Sequence, residues 1–313
     1  MNPQDVQHVV VIGAGVMGHS IAQVFAQAGI EVRLVDLNEK ILHRAIHLIG
    51  NNLNTLCELG RVQNDEIPGI LGRIRPFLDL APAASGVDFA LEAVAEVPDI
   101  KRKVFSRLDE ICSENTVLAS NTSTLDIFDI VHVKRPERLL ATHWFAPPHI
   151  IPLVEVAPGP HTSSEIVTFT AELMRRLGKK PVVMKQFVPS LIVNRIQNNI
   201  SLAVWDILQN GWATPEEIDL AVKLSLGVRL PIVGVVQTVD FTGLDLVYDI
   251  MQNFGIENTI IREKVERGHL GAKSSRGMYD YGGRSEEEIL KKRDTLYIKM
   301  LDHLENTTAF QPV

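Results

Sequence analysis

The feature that most constrains this chain is a glycine-rich turn that directly follows a short apolar run near the N-terminus. Residues 9–12 are apolar and β-branched, which is typical of a strand buried on both faces. The turn reads Gly13-Ala14-Gly15-Val16-Met17-Gly18. Gly13 permits a tight turn, Gly15 lets a pyrophosphate approach the backbone, and Gly18 lets the next helix pack closely. We therefore expect a dinucleotide-binding strand–turn–helix unit whose helix N-terminus faces the phosphates.

An aspartate at the end of the second predicted strand specifies the dinucleotide. This strand covers residues 31–36, so that Asp36 stands where a carboxylate can accept a hydrogen bond from a ribose 2′-hydroxyl. The same carboxylate would repel a 2′-phosphate, which favours NAD over NADP. The alternative is a glycine-rich turn with a surface aspartate. The preceding strand, the following helix and the placement of Asp36 together favour the NAD site.

The alternation of strands and helices sets the fold class. After residue 36, further strands are predicted at 74–77, 87–92, 116–120, 139–143, 153–156 and 181–184, with helices in most of the gaps. This pattern predicts an α/β fold with a Rossmann-type, doubly wound parallel sheet. From residue 188 a long apolar helix to 210 is predicted, Thr214 and Pro215 start another, and a charged tail after Gly283 forms a solvated helix.

Two domains are expected from the length of 313 residues and the 45% content of hydrophobic residues. We place the NAD-binding domain at 1–186 and a mainly α-helical substrate and dimerisation domain at 187–313. The apolar helix 188–210 and the apolar stretch 230–236 are too much for a small core to bury, which predicts a homodimer joined through the second domains.

Composition excludes several classes of protein. The net charge of −7 and the absence of a basic stripe argue against nucleic-acid binding. The only cysteines are Cys57 and Cys112, without a CxxC pair, so neither a disulfide framework nor a thiolate metal site is expected. No apolar run reaches the ~18 residues of a membrane span, and no signal peptide is visible. A cytoplasmic protein without a metal is therefore the expectation.

A second group of polar residues lies at predicted strand ends, where doubly wound sheets bind their ligands. Residues 120–123 read Ser-Asn-Thr-Ser, His143 ends a later strand, and Glu155 lies on the next one. A proline-rich turn can bring the last two strands together. A carboxylate on one imidazole nitrogen fixes the tautomer and leaves the other nitrogen for proton transfer. The alternative is a structural histidine, and spacing alone leaves the two interpretations even.

These motifs, taken in order, resemble the L-3-hydroxyacyl-CoA dehydrogenase family over nearly the whole chain. The resemblance rests on the glycine turn, Leu91-Glu92-Ala93-Val94-Ala95-Glu96, residues 120–123, His143, Leu153-Val154-Glu155-Val156, Val193-Asn194-Arg195, Thr242-Gly243-Leu244-Asp245 and Gly277-Met278-Tyr279-Asp280-Tyr281. It implies an NAD-dependent dehydrogenase of 3-hydroxyacyl-CoA in fatty acid metabolism, and a dimer joined through the second domain.

The resemblance also implies roles for individual residues. His143 would be the general base and Glu155 would orient it. Ser123 and Asn194 would hydrogen-bond the substrate oxygen. The positions expected to line the NAD site are Glu96, Lys101 and Lys273. Instead of lining the NAD site, Glu96 and Lys101 would in the alternative interpretation be solvent-exposed residues at the start of a helix. Asn194 would in that case be a polar residue of a helix that faces another helix.

Departures from the family pattern bear on the substrate. Where this chain has Ala146, the family usually has an asparagine, and where it has Ser190, the family usually has a glycine. Many acyl-CoA members carry lysines where this chain has Glu58 and Leu59, and a carboxylate facing a CoA phosphate is repulsive. The backbone and Lys101 remain as possible phosphate partners.

Other features resemble branches of the family that do not use CoA, namely gulonate dehydrogenase (lambda-crystallin) and a dehydrogenase of pyridoxine degradation. The stretch Leu226-Gly227-Val228-Arg229-Leu230 resembles both of these branches. The segment around His143-Trp144 and residues 147–152 resembles the dehydrogenase of pyridoxine degradation. Arg229 would there bind a free carboxylate, unless it is a plain surface charge. A free hydroxy acid is therefore the alternative substrate, and a non-catalytic NAD-binding structural protein is the alternative of another class.

Overall fold

The computed structural model describes residues 2–311, and its first half is built on one eight-stranded sheet. The strands are β1 (His8–Ile12), β2 (Glu31–Val35), β3 (Ile74–Phe77), β4 (Phe89–Glu92), β5 (Val117–Ser120), β6 (Leu139–Trp144), β7 (Leu153–Pro158) and β8 (Lys180–Val183). Their order across the sheet is β3-β2-β1-β4-β5-β6-β7-β8. All neighbours are parallel except β6 and β7, which pair antiparallel. The predicted Rossmann-type fold is confirmed.

Seven helices accompany the sheet, and six more make up the rest of the described chain. The first seven are α1 (Gly18–Gln27), α2 (Glu39–Glu58), α3 (Ile67–Gly72), α4 (Leu80–Ala84), α5 (Pro98–Ile111), α6 (Ile127–Ile130) and α7 (Ser164–Arg176). The others are α8 (Val193–Gln209), α9 (Pro215–Leu224), α10 (Leu226–Thr242), α11 (Leu244–Asn253), α12 (Thr259–Glu266) and α13 (Glu286–Asn306).

The sheet is buried on both faces because its strands are apolar on both. Along β1, Val9 and Val11 belong to one apolar core, whereas Val10 and Ile12 belong to the other. The first core contains side chains of α1, α2 and α7, and the second contains side chains of α4, α5 and α6. Helices on both faces hold the carboxyl ends of β1, β4, β5 and β6 at one common edge.

The structure corrects the predicted start of the long apolar helix. We expected a helix over 188–210, but α8 begins at Val193. The preceding residues Ser190 and Leu191 have φ values of 65° and 47°, a left-handed conformation that ends helical geometry for L residues. Leu191 is fully buried in the second core of the sheet. The chain therefore packs Leu191 into the first unit before it turns into α8.

The contact pattern also differs from the predicted boundary at 186/187. The chain divides into two compact units, Met1–Asn199 and Ile200–Val313. Segment 187–199 counts with the first unit because it is bonded to the sheet: the Phe187 N–H donates to the Pro158 carbonyl at 2.9 Å, and Leu191 fills the core.

The second unit is helical, as predicted, with only isolated bridges among its described residues. Thr214 caps α9 in a capping box with Glu217, and Pro215 occupies the first turn. The charged tail forms α13, where Ile289 is the buried residue. Within residues 2–311 no single helix is long and apolar enough to cross a membrane; α10 and α11 meet that requirement only as a pair bent by 79°.

Candidate active site

A buried histidine–carboxylate pair lies on the hairpin formed by β6 and β7. His143 and Glu155 are direct partners in the antiparallel register, so their side chains leave the same face of the sheet. His143 Nδ1 lies 2.8 Å from Glu155 Oε2, and both side chains are buried. A carboxylate acceptor requires that Nδ1 carry the proton. The other nitrogen, Nε2, has no hydrogen-bond partner among residues 2–311, so it is available as a base.

The second oxygen of Glu155 binds the start of α8, a contact that the sequence analysis missed. Glu155 Oε1 accepts hydrogen bonds from the backbone N–H groups of Ile192 and Val193, both at 3.0 Å. These donors lie at the start of a helix, where backbone N–H groups lack intrahelical partners. One carboxylate thus orients the histidine and fixes the helix that carries Asn194.

Asn194 and Ser123 are brought together as expected for a shared site. The Asn194 side-chain amide donates to the Ser123 carbonyl at 3.4 Å, and both side chains are partly exposed. The Ser123 carbonyl that Asn194 binds lies in the loop between β5 and α6 and not on a helix. Asn121 Oδ1 accepts from the Trp144 backbone N–H at 2.9 Å and ties the same loop to the strand of His143.

Lys101 forms a buried ion cluster instead of a solvated helix start. Its side chain is fully buried, and its ammonium lies 2.8 Å from Glu92 Oε1 and 3.0 Å from Glu96 Oε2. Ser120 Oγ donates to the other oxygen of Glu92 at 2.5 Å. The solvated-start interpretation of Lys101 is therefore wrong. A buried, doubly paired ammonium is also not exposed to bind a CoA phosphate, which corrects that expectation for Lys101.

Glu96 organises the turn that carries Ser123. Its Oε1 accepts from the Ser123 N–H at 2.8 Å and from the Thr124 N–H at 2.9 Å, and also from Thr122 Oγ1 and the Leu125 N–H. Burial alone would raise the pKa of Glu96, but the Thr124 hydrogen bond and the positive charge of Lys101 outweigh it and lower the pKa to about 2. Glu96 is therefore ionised under ordinary conditions and holds the shape of the Ser123 turn.

The glycine turn has the geometry that its sequence predicted. Gly13 has a φ of 98°, and a Cβ there would lie 2.6 Å from the Ala93 carbonyl oxygen. A Cβ on Gly18 would lie 1.7 Å from the Gly13 carbonyl oxygen, so this close packing of α1 requires glycine. A Cβ on Gly15 would meet nothing within 4 Å, which leaves space above the turn for a ligand.

The residues of this turn fit a dinucleotide. The N-cap of α1 is Met17, and no side chain satisfies the first N–H groups of this helix, which remain suited to a phosphate. Asp36 Oδ2 accepts the Ala14 N–H at 2.9 Å, so the carboxylate is held against the turn at the end of β2. Its position beside the turn suits a free ribose hydroxyl. The turn, the helix start and Asp36 would therefore hold NAD.

Two further candidate residues lie in the second unit. Lys273 is ion-paired with Asp245 at 2.5 Å, and both side chains are partly exposed. Arg229 donates only to Ser225, at 3.4 Å to the carbonyl and 3.1 Å to Oγ. Among residues 2–311 no carboxylate pairs with Arg229, so both of its interpretations stay open. In the first unit, Glu58 and Leu59 are exposed at the end of α2.

Comparison with known proteins agrees with this geometry. Residues 8–187 match the family model of the 3-hydroxyacyl-CoA dehydrogenase NAD binding domain, and residues 191–281 match that of the C-terminal domain. The match to an NAD-binding domain confirms NAD as the cofactor.

Relatives of two kinds are found. A 5-formyl-3-hydroxy-2-methylpyridine 4-carboxylate 5-dehydrogenase of Mesorhizobium japonicum is 30% identical over 88% of this chain and 91% of its own. A probable 3-hydroxybutyryl-CoA dehydrogenase of Bacillus subtilis is 35% identical over 88% of this chain and 98% of its own. The solved 3-hydroxyacyl-CoA dehydrogenase of Archaeoglobus fulgidus has a TM-score of 0.79 and 30% identity, covering 96% of this chain and 99% of its own. The relatives thus include dehydrogenases named for CoA substrates and one named for a pyridine carboxylate.

Replacing Asp36 by alanine should weaken NADH binding and reduce discrimination against NADPH. The variant loses a charged acceptor, worth about 1.5–3 kcal/mol or roughly a tenfold or larger change in Kd, and it loses the charge that repels a 2′-phosphate. Fluorescence titration with both nucleotides measures the two effects. Asp36→Asn is the matched control, because it keeps an acceptor and should lose mainly the discrimination. A wild-type protein that binds NADPH more tightly than NADH contradicts this assignment.

Replacing Glu96 by glutamine should lower stability in a pH-dependent way. The folded-state pKa of Glu96 is lowered to about 2, so the charged carboxylate stabilises the fold above its unfolded pKa of about 4.5 and loses this contribution as pH falls toward 2. The difference in unfolding free energy between wild type and Glu96→Gln should be full near pH 7 and smaller near pH 3.5. Urea unfolding measures it, with Glu110→Gln as the exposed control on α5. A difference that stays constant with pH would show that the charge of Glu96 contributes nothing.

Proposed function

This chain belongs to the 3-hydroxyacyl-CoA dehydrogenase family, and from that premise we propose that it oxidises the hydroxyl of a 3-hydroxyacyl-CoA to the ketone, reversibly and with NAD. The coarser statement, an NAD-dependent dehydrogenase acting on a CH–OH group, follows from the family itself. The observation that carries the proposal is the buried pair of His143 and Glu155. The whole-chain likeness to a probable 3-hydroxybutyryl-CoA dehydrogenase supports the thioester as substrate.

In the proposed mechanism His143 Nε2 takes the hydroxyl proton. Bound NAD supplies the acceptor for the hydride that leaves the carbinol carbon. Glu155 keeps the Nδ1 proton in place at 2.8 Å and stabilises the positive charge that develops on the imidazole. In the reverse direction the protonated His143 returns the proton to the ketone oxygen. Both groups are buried, and the low local dielectric strengthens their interaction.

Ser123 and Asn194 are proposed to bind the reacting oxygen of the substrate. The backbone N–H of Ser123 is already bonded to Glu96, whereas its hydroxyl has no partner among residues 2–311. The Asn194 amide carries a second N–H besides the one directed at the Ser123 carbonyl. Two donors near one oxygen would stabilise the charge that develops on it during proton transfer.

A free hydroxy acid is the second candidate substrate, and the charge distribution favours it. Arg229 has a guanidinium without a carboxylate partner among residues 2–311, and a planar fork suits a substrate carboxylate. The expected cationic partners of the CoA phosphates are missing, since Lys101 is buried and Glu58 and Leu59 occupy the end of α2. One missing surface ion pair costs ~1 kcal/mol or less, so this reduces CoA affinity without abolishing it.

The exposed apolar side chains of the second unit support a homodimer. None of the side chains of α8 is buried, and Leu202 and Trp205 on it are 66% and 60% exposed. Other large exposed apolar residues of this unit are Trp212, Leu220, Leu224, Val235, Val236, Leu246, Ile250, Phe254 and Ile260. So much apolar surface is characteristic of a subunit interface, and a second copy of the chain is the proposed partner. A cytoplasmic location stays a prediction of the sequence.

Replacing His143 by alanine should lower kcat by ~10²-fold or more, because general-base catalysis contributes about 10²–10⁴-fold. NADH affinity should remain close to that of the wild type, because His143 does not belong to the glycine turn. Glu155→Gln should also reduce kcat and shift the pH profile, since the histidine loses its charged partner. Stopped-flow NADH oxidation and an NADH titration separate the two quantities. Near-normal turnover of His143→Ala would eliminate this mechanism.

Replacing Arg229 by alanine distinguishes the two substrate classes. If Arg229 binds a carboxylate, KM for a free 3-oxo acid should rise by more than about tenfold, the value of a lost charged hydrogen bond. The KM for acetoacetyl-CoA should change little, since a thioester lacks that carboxylate. Arg229→Lys is the matched control, because it keeps the positive charge but loses the pair of parallel N–H donors of the guanidinium. A wild-type kcat/KM for acetoacetyl-CoA far above that of every free acid would exclude the second candidate.

Sedimentation of the purified chain at micromolar concentration should give about twice the chain mass of 34.8 kDa. Introducing aspartate at Leu202 or Trp205 should shift the protein toward the monomer, because a buried unpaired charge opposes association. Analytical ultracentrifugation measures both. A wild-type monomer under these conditions is incompatible with the proposed dimer.

A further inference from the structure

A buried lysine lies beneath the loop that joins the strands of His143 and Glu155. Lys179 follows α7 and directly precedes β8, and only 6% of it is exposed. Its ammonium donates to the backbone carbonyls of Pro148 and Ile151, the latter at 3.0 Å. Among residues 2–311 it has no carboxylate partner. A buried ammonium without a counter-ion is costly, which calls for a reason beyond packing.

The same ammonium contacts the residue next to the proposed base. Lys179 Nζ lies 5.5 Å from the ring centroid of Trp144, within the range of a cation–π interaction. Trp144 follows His143 in β6 and is 2% exposed. The Trp144 ring also lies close to that of Phe25 of α1, with centroids 6.1 Å apart. Lys179 therefore binds both the loop and the end of the strand that carries His143.

The loop above Lys179 also reaches the helix that follows the glycine turn. Ser20, in the first turn of α1, bonds twice to His149: its Oγ lies 2.7 Å from His149 Nδ1 and accepts the His149 backbone N–H at 3.1 Å. Residues 145–152 thus connect three parts: the strand of the proposed base, the strand of its carboxylate and the cofactor helix.

We propose that Lys179 is a positioning residue for the dehydrogenation: its ammonium fixes residues 145–152 through two carbonyls and the Trp144 ring, and so sets His143 relative to the cofactor helix. This inference rests on the proposed function of His143. Lys179 touches neither substrate nor the reacting atoms. Misplacement of a base by about 1 Å can cost ~10²-fold in rate, so a group that fixes this loop has a measurable effect on turnover.

The charge state of Lys179 makes the proposal testable by pH. Burial lowers the pKa of Lys179 to about 8. The titratable and charged groups facing it are His149, whose pKa is lowered by burial first and then by the positive charges of His19 and Lys179, and Arg176 at the end of α7, which donates to Pro3 and Val6. Above pH 8 the amine becomes neutral, and its bonds to carbonyls and to the indole weaken.

Stability and positioning should respond to this titration in opposite directions. Because the pKa of Lys179 is lower in the folded than in the unfolded state, burial of its charge opposes folding below pH 8, and this penalty disappears as pH rises toward 10.5. Relative to Lys179→Met, the wild type should therefore gain stability between pH 8 and 10 while it loses turnover. A purely structural lysine would not produce these opposite trends.

The first experiment uses Trp144 as the reporter and needs no substrate. The tryptophan emission of the wild type is titrated from about pH 6.5 to 9.5 beside that of Lys179→Met and Trp144→Phe. We expect a transition near pH 8 in the wild type only. The absence of that transition in the wild type, or its persistence in Lys179→Met, overturns the proposal. This readout stays valid even if His143→Ala proves fully active, so failure of the proposed function is recognised separately.

The second experiment measures turnover and NADH binding. Lys179→Met should lose about tenfold or more in kcat while the Kd of NADH changes less than about threefold, because the loop and not the glycine turn is released. Lys179→Arg should restore part of kcat and abolish its decline near pH 8, since arginine stays charged. Lys180→Met, at the exposed neighbouring position, is the control with unchanged activity.

A Lys179→Met enzyme with kcat within about threefold of the wild type at pH 7 overturns the proposal. If Lys179→Met does not fold, the proposal is tested by following both the tryptophan emission and the turnover of the wild type as a function of pH. A Trp144 transition near pH 8 that coincides with the loss of turnover supports the role of Lys179. A turnover profile without an inflection at the Trp144 midpoint overturns it.

Discussion

The arrangement of the site depends on how one buried carboxylate divides its two oxygens. Glu155 gives Oε2 to His143 and Oε1 to the backbone at the start of α8. A buried carboxylate is tolerated only when its oxygens are satisfied, and here both oxygens accept hydrogen bonds, one from His143 and the other from the neighbouring N–H groups of Ile192 and Val193. The orientation of the base and the path of the chain toward the second unit therefore have a common cause.

Carboxylates that bind backbone N–H groups recur throughout the molecule. Asp36 binds the glycine turn, Glu96 binds the turn of Ser123, and Asp240 in the second unit binds the N–H groups of Met278 and Tyr279. Charged acceptors form shorter and stronger hydrogen bonds than neutral ones. Each of these turns is thereby held in one shape by an acid that is distant in sequence. Acidic residues here determine the conformation of loops at least as much as they determine surface charge.

Much of the fold could be predicted from local patterns, because buried parallel strands are apolar runs and the glycine turn has strict steric demands. The pairing of His143 with Glu155 could also be predicted, because both residues lie on consecutive strands joined by a short segment. The contacts of Glu155 with Ile192 and Val193 could not be predicted, because they involve backbone atoms, which no side-chain pattern reveals. The burial of Lys101 was also hidden, since a lysine near a helix start normally faces solvent.

The start of α8 shows a further limit of sequence reasoning. An apolar stretch with helical spacing predicts a helix, and nothing in the side chains of Ser190 and Leu191 signals a left-handed backbone. Their conformation is imposed by tertiary contacts: Leu191 is drawn into the core of the sheet, and Glu155 binds the next two N–H groups. The same contacts tie Leu191 and the start of α8 to the sheet. Arg229, proposed as a partner of a substrate carboxylate, is bonded only to Ser225 among residues 2–311, and no periodic pattern in the sequence marks it out.

The reversed direction of β7 has a consequence for how such a protein can diversify. His143 and Glu155 are direct partners across one antiparallel hairpin, so the buried faces of β6 and β7 and the length of the connecting segment 145–152 together keep them opposite each other. Substitutions in residues 145–152 that keep the length of this segment would leave His143 opposite Glu155, and the Ile151 carbonyl that binds Lys179 is available from any amino acid. The side chains of this segment can therefore vary while the pairing of His143 with Glu155 and the main-chain bond to Lys179 are kept.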